Sequence, residues 1–306
     1  MSFRIYEPSY AFIDARLSAV LDVRTASVMA EVEGPLRTAL VLYIVLYGYG
    51  VFRGAISAPV MDLLIRAVKL VFLYALAVTP AYGAYIAEPL FTGLPNVLAR
   101  ALGGAETANV GAGFDQFLAY AAWLGDSIGR EASLFDPIPL VVAAGVLLAG
   151  ALATALGFGV VMIAKIALAL LVALGPIFIA CALFNSTRRF FFGWLSQAVN
   201  YLVLFALILA VFQLVLGLVR DQWDAVQGQD PIVAGLMFIA LTLLGAIFFL
   251  QTPAIAAGVA GGASAGLADF ASASGLQGRS APLSPQGASR APPASGRSLR
   301  PYGVRS

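Results

Sequence analysis

The stretch Phe190–Val219, FFFGWLSQAVNYLVLFALILAVFQLVLGLV, runs for thirty residues without a charged side chain. About 20 mostly apolar residues suffice for a helix to cross the roughly 30 Å hydrocarbon core of a bilayer. This run exceeds what one upright span needs. Its neighbours have the same character. Pro137–Ala164 is uncharged up to Lys165, and Ile166–Thr187 is uncharged up to Arg188-Arg189. A last run extends from Pro231 to about Gln251, and two earlier ones cover Thr38–Phe52 and Leu70–Ala87. Sixty per cent of the 306 residues are hydrophobic and only 11% are charged, against about 25% charged in a soluble domain. Lipid must therefore be the solvent for much of the chain. The fold class that follows is all-α, a polytopic helical membrane protein.

The runs divide the chain. In residues 1–35, Tyr10, Ile13, Leu17, Val20, Leu21 and Val28 fall on one side of a helical wheel. Asp14, Asp22 and Glu33 sit mostly off that side, Arg24 interrupts it, and Gly34-Pro35 is expected to end an amphipathic helix. The start lacks the features of a cleaved signal peptide, so the first span is expected to act as the targeting signal. Residues 36–87 hold the first transmembrane pair, with Pro80 and Gly83 kinking its second member. Residues 88–136 carry six acids (Glu88, Glu106, Asp115, Asp126, Glu131, Asp136) and two bases (Arg100, Arg130). Phe114, Phe117, Leu118, Trp123 and Leu124 recur there at helical spacing, which predicts a partly helical extramembrane loop. Residues 137–251 form a transmembrane bundle. Residues 252–306 are rich in Gly, Ala and Ser, then in Pro and Arg, and are expected to be disordered.

Charge distribution sets the expected topology. Arg53, Arg66 and Lys69, opposed only by Asp62, mark the loop after the first span as cytoplasmic. The N-terminus and the acidic 88–136 loop then lie outside. Arg188-Arg189 and the tail arginines Arg279, Arg290, Arg297, Arg300 and Arg305 stay inside only if Ile166–Thr187 dips in and turns back at Gly175-Pro176. That arrangement has five full spans and one re-entrant hairpin, which must be buried against protein.

No catalytic, cofactor or metal arrangement is legible. Histidine is absent and Cys181 is the single cysteine, which excludes zinc-protease, serine-hydrolase triad and dithiol chemistry. Gly258–Gly266 lacks the Lys-Ser/Thr of a phosphate loop. Tyr47-Gly48-Tyr49-Gly50 lacks the preceding Thr-Val of a potassium filter and sits inside a span. Lys165, alone among ionisable groups at depth, makes a poor proton relay. The remaining candidates concern assembly or a substrate path. Gly175 and Pro176 break a membrane helix, either as a binding-site lining or as a packing kink. Gln197 and Asn200 share a helix face, with Gln213 deeper, as a hydrated path or as interhelical glue. Arg188 and Arg189 with Trp194 suit an anionic partner or lipid headgroups. Trp123, Asp115 and Asp126 suit a substrate-handling loop or a solvated acidic cap; an acidic loop is ill suited to DNA phosphates.

The block from Lys165 through Gly175-Pro176 to Phe178, followed by Leu183-Phe184-Asn185-Ser186-Thr187-Arg188-Arg189-Phe190-Phe191-Phe192-Gly193-Trp194, resembles the signature region of VirB/TrbL-type polytopic subunits. These belong to the inner-membrane complexes of bacterial type IV secretion and conjugation machines. The order of helix, spans, long loop, later spans and tail matches over roughly residues 1–260. The resemblance implies a bacterial inner-membrane scaffold or channel subunit; with the topology expected from charge, its N-terminus is then periplasmic and its C-terminus cytoplasmic. It implies several copies around a machine axis, contact of the central loop with translocated DNA or protein, and a part in pilus assembly. Membrane lipid, secretion ATPases, outer-membrane-core proteins and pilin would be its partners. A secondary transporter of a small solute is the competing reading, although paired intramembrane charges and an internal repeat are missing from the sequence. A non-conducting scaffold or immunity-type protein is a third.

Overall fold

In the computed structural model, residues 4–54, 60–103, 110–133, 135–226 and 230–273 are described. Within them lie seven α-helices: α1 (Tyr6–Phe52), α2 (Val60–Val78), α3 (Leu94–Gly103), α4 (Val110–Gly129), α5 (Ile138–Cys181), α6 (Arg188–Val226) and α7 (Pro231–Ala273). Two wide π-type turns, Gly83–Ala87 and Pro89–Gly93, connect α2 to α3. Four helices are long and apolar enough to cross a membrane; the bent pair Leu64–Val78 and Gly83–Ala101, which turns by 85°, makes a fifth if it counts as one span.

The helices are longer than the hydropathy runs predict. With 44 residues, α5 is about 66 Å long at 1.5 Å per residue, roughly twice the hydrocarbon thickness. It joins the two runs that Lys165 divides. The re-entrant turn expected at Gly175-Pro176 is not there: helix α5 passes straight through Pro176. The sharp break in the chain falls instead at Thr79–Tyr82. Likewise α1 continues through Gly34-Pro35 as one 47-residue helix. A proline inside a helix costs about 3 kcal/mol locally, and packing on either side of it, at Leu21 and Leu36, offsets that cost.

Two apolar cores hold the helices. The larger is built mainly from α4, α5, α6 and α7 and includes Phe114, Phe117, Ile128, Val146, Ile208, Phe212 and Phe238, joined by Tyr10 of α1 and Ala99 of α3. Helix α4, expected in a surface loop, thus contributes one whole face to the interior. The approach of α4 to α5 is close because Gly150 faces Ala121, where a Cβ would clash; small residues serve membrane helix contacts in this way. The second core joins Leu21 and Leu36 of α1, Ala77 of α2, Tyr82, Phe91 and the C-terminal half of α5 at Ala169, Val172 and Ile179.

Helix α7 runs on to Ala273, so residues 252–273 are helical and not a disordered tail. Alanine is the strongest helix former, and Thr252, Ala256 and Ala260 are buried against the bundle. The five tail arginines and Glu106 lie outside the described residues.

Candidate functional site

The Gly175-Pro176 position is where sequence-marked residues meet. Proline has no N–H, so Pro176 leaves the carbonyl of Val172 without its helical donor. The hydroxyl of Tyr82 donates to that carbonyl. Tyr82 is fully buried and arrives from the 85° break between α2 and the π-type turns. Gly175 makes room for it: a Cβ there would overlap the Tyr82 hydroxyl and ring. One turn away, Trp194 Nε1 of α6 donates to the Leu171 carbonyl at 2.8 Å. The indole is 4% exposed and stacks on Phe178, with ring centroids 6.1 Å apart. Trp194 is therefore a buried interhelical clamp. With Tyr82, the residues Gly175, Pro176 and Trp194 form one joint that ties the bend after α2 to α5 and α6.

Toward the middle of α5 sits a buried charge. Lys165 Nζ lies 2.6 Å from Asp14 Oδ1 and donates to the Tyr10 hydroxyl at 2.7 Å. It also stands over the rings of Tyr10 and Phe91, at 4.3 and 5.6 Å from their centroids. An ion pair desolvated on one side persists only when both members are held. Lys165, which reads from the sequence as a lone charge at depth, is thus partnered, and Asp14 points at the bundle instead of off the packed face.

A third polar device fixes the start of α1. Asp115 of α4, 5% exposed, accepts the backbone N–H groups of Ile5 and Tyr6 at Oδ1 and of Glu7 at Oδ2, each at 2.9 Å. The first N–H groups of a helix have no internal acceptor, and a carboxylate there also meets the positive end of the helix dipole. Tyr6 then reaches Thr154 of α5, hydroxyl to hydroxyl at 3.1 Å. Asp115 is a buried cap and not part of a solvated acidic face.

The other candidates are spread out. Arg188 and Arg189 open α6, and Arg189 lies over the Phe190 ring at 5.0 Å. Gln197 is exposed and Asn200 half-buried on α6, with Asn200 Oδ1 enclosed and unpartnered. Trp123, 57% exposed, lines a groove of about 1260 Å³ between α4 and α5 with Gln116, Tyr120, Asp126, Arg130 and Leu147. From Leu147 to Gly175 along α5 is about 40 Å, so Trp123 and the proline joint are separate sites. Tyr82, Tyr10 and Asp14 were not singled out as site residues. The only signal for Tyr82 was indirect, since Pro176 obliges some donor to reach Val172.

Long apolar helices closed by interhelical hydrogen bonds and by the half-buried Asp14–Lys165 pair define a multi-pass helical membrane protein. Within that class the chain belongs to the TrbL/VirB6 family: residues 40–252 match the family of TrbL/VirB6 plasmid conjugal transfer proteins. It is similar to the type IV secretion system protein VirB6 of Bartonella quintana, at 28% identity over 277 residues, 85% of this chain and 81% of that protein. The VirB6 protein of Bartonella henselae matches to the same extent.

Proposed function

We propose that the protein oligomerises as a non-catalytic scaffold within an inner-membrane complex, and there supports passage of DNA or protein substrate and pilus assembly. That it is a subunit of a type IV secretion machine follows from its family; the match over residues 40–252 carries the reading. The structure adds a rationale for the orientation. With α5 as a single crossing and the bent pair as another, an outside N-terminus leads to Lys69 and Arg188 inside, Trp123 outside and the C-terminus inside. Every basic loop then obeys the positive-inside rule without a re-entrant segment. The Trp123 groove would face the periplasm, where substrate or pilin could reach it.

The Asp14–Lys165 pair is the feature a small-solute transporter would share. Here Lys165 is clamped by Tyr10 and Phe91 as well as Asp14, which suits a fixed brace. The deciding experiment deletes the gene, restores it with a tagged copy, and measures conjugal or effector transfer alongside co-purification in mild detergent. Loss of transfer on deletion, with recovery of secretion ATPases or outer-membrane-core proteins on the tag, is the expected result. Undiminished transfer together with solute uptake by reconstituted vesicles would favour the transporter.

A further inference from the structure

Helix α1 and the bend that follows α2 leave a groove of about 460 Å³ between them. Leu21 and Met29 of α1 and Phe91 of the second π-type turn give it apolar walls, and two acids, Asp22 and Glu88, line it as well. Neither carboxylate has an ion-pair or hydrogen-bond partner among the described residues. Thr25, 7% exposed, also lines the groove. The other serine and threonine hydroxyls of α1, at Ser9, Ser18, Ser27 and Thr38, each donate to the carbonyl four residues earlier. The Thr25 hydroxyl makes no hydrogen bond among the described residues. The groove lies level with residues 165–172 of α5, since Phe91 faces Lys165 at 5.6 Å and Tyr82 donates to the Val172 carbonyl.

Carboxylates set beside an apolar membrane helix call for a cation. No lysine or arginine lines the groove, so a phosphate-bearing lipid headgroup is repelled there. Among the described residues no third acid, histidine or cysteine completes a metal site. A guanidinium fits: its planar fork serves two carboxylates, donates to the Thr25 hydroxyl and lies against the Phe91 ring. The chain itself holds the source. Residues 274–306 carry Arg279, Arg290, Arg297, Arg300 and Arg305 and no lysine, aspartate or glutamate. Helix α7 runs beside α5 in the same direction, with Ile239 against Gly145 and Phe249 against Gly157. At equal rise, Ala273 falls level with Cys181, about 14–24 Å along the axis from the groove. The chain from Ala273 to Arg290 spans up to about 60 Å when extended, ample for Arg290 and the arginines beyond it. We propose that the chain's own C-terminal segment docks in this groove, with one arginine at or beyond Arg290 held between Asp22 and Glu88. The segment then straps the end of α7 to α1 and to the bend after α2.

The test places a photocrosslinking amino acid at Ala26, a groove position, in the full chain purified in mild detergent, and maps the crosslinked peptides by mass spectrometry. Attachment within residues 285–306 of the same chain is expected. Asp22→Asn combined with Glu88→Gln should lower that yield about tenfold or more, the weight of one charge-assisted hydrogen bond. Replacing all five tail arginines by glutamine should do the same. This second variant leaves every groove residue in place, so its loss of yield cannot come from a misfolded groove. Light- and heavy-isotope chains mixed in detergent distinguish a bond within one chain from a bond between copies. Attachment to the tail of another copy alone, attachment only to lipid or to other helices, or an unchanged yield in the tail variant overturns the proposal.

Discussion

The Tyr82 hydroxyl donates to the Val172 carbonyl, the group that Pro176 deprives of its helical partner. This bond explains why α5 survives a Gly-Pro pair and why the chain must bend sharply just before Tyr82. Membrane interiors offer no water to a freed carbonyl, so a neighbour has to supply the donor.

Tyr82→Phe should therefore cost about 1–3 kcal/mol, the penalty of a buried unsatisfied carbonyl. The decisive comparison is a double-mutant cycle with Pro176→Ala, which restores the N–H to residue 176. In that background the loss on Tyr82→Phe should shrink to the value of a missing packing contact. Thermal unfolding in detergent, followed by tryptophan fluorescence, reads both. Equal losses in the two backgrounds would show that the bond is not what Pro176 requires.

Helix α5 also carries the Asp14–Lys165 pair. Removing one member should destabilise more than removing both, because an orphaned buried charge is worse than an apolar filling. Asp14→Leu is expected near the lower end of the about 3–5 kcal/mol seen for broken buried pairs, since Asp14 is 39% exposed and partly screened. Asp14→Leu with Lys165→Met should recover most of that loss in the same unfolding assay. A working proton relay would give a different pattern, with stability unchanged and function lost in both.

These two joints mark the boundary of what the sequence could disclose. Uncharged runs correctly indicate α5, α6 and α7, because burial in lipid is a property of composition along one segment. Lys165 and Gly175-Pro176 look like breaks only when their segment is read alone. Their partners lie far earlier, Asp14 151 positions before Lys165 and Tyr82 93 positions before Gly175, and no local pattern links them. The same holds for Gly34-Pro35, where packing of Leu21 and Leu36 overrides a local stop signal. Asp115 read as a solvated acid for the same reason. Trp194 reads as a companion of Arg188-Arg189 because it sits beside them in the chain, and only the position of Leu171 on α5 shows the indole to be an interhelical donor.

Asp115 makes a prediction that local dynamics can test. Its two oxygens take three backbone N–H groups at the start of α1. Asp115→Ala should remove about 2 kcal/mol, the upper range for a helix cap, and should speed amide exchange in the first two turns of α1. Asp115→Asn keeps one acceptor oxygen and loses the charge–dipole term, so it should fall between. Hydrogen exchange read by mass spectrometry over residues 5–12 gives the order. Faster exchange spread evenly over the whole chain would instead mean that Asp115 serves global packing.

The length of α5 makes the orientation testable with two cysteines. Ser127 is near the end of α4 that packs beside the start of α5, and Ser186 follows the end of α5. One helix of about 66 Å separates the two ends, so a single crossing must put these positions on opposite sides of the membrane. In a Cys181→Ala background, Ser127→Cys should react with an impermeant maleimide on intact cells. Ser186→Cys should react only after lysis, as expected for a position just before Arg188 and Arg189 at the basic start of α6. The reverse pattern would mean that the bent pair at 64–101 returns to the side it entered from, leaving four crossings and an inverted bundle. Labelling of both in intact cells would mean that α5 does not cross at all, and the scaffold reading would then need a different membrane placement for its longest helix.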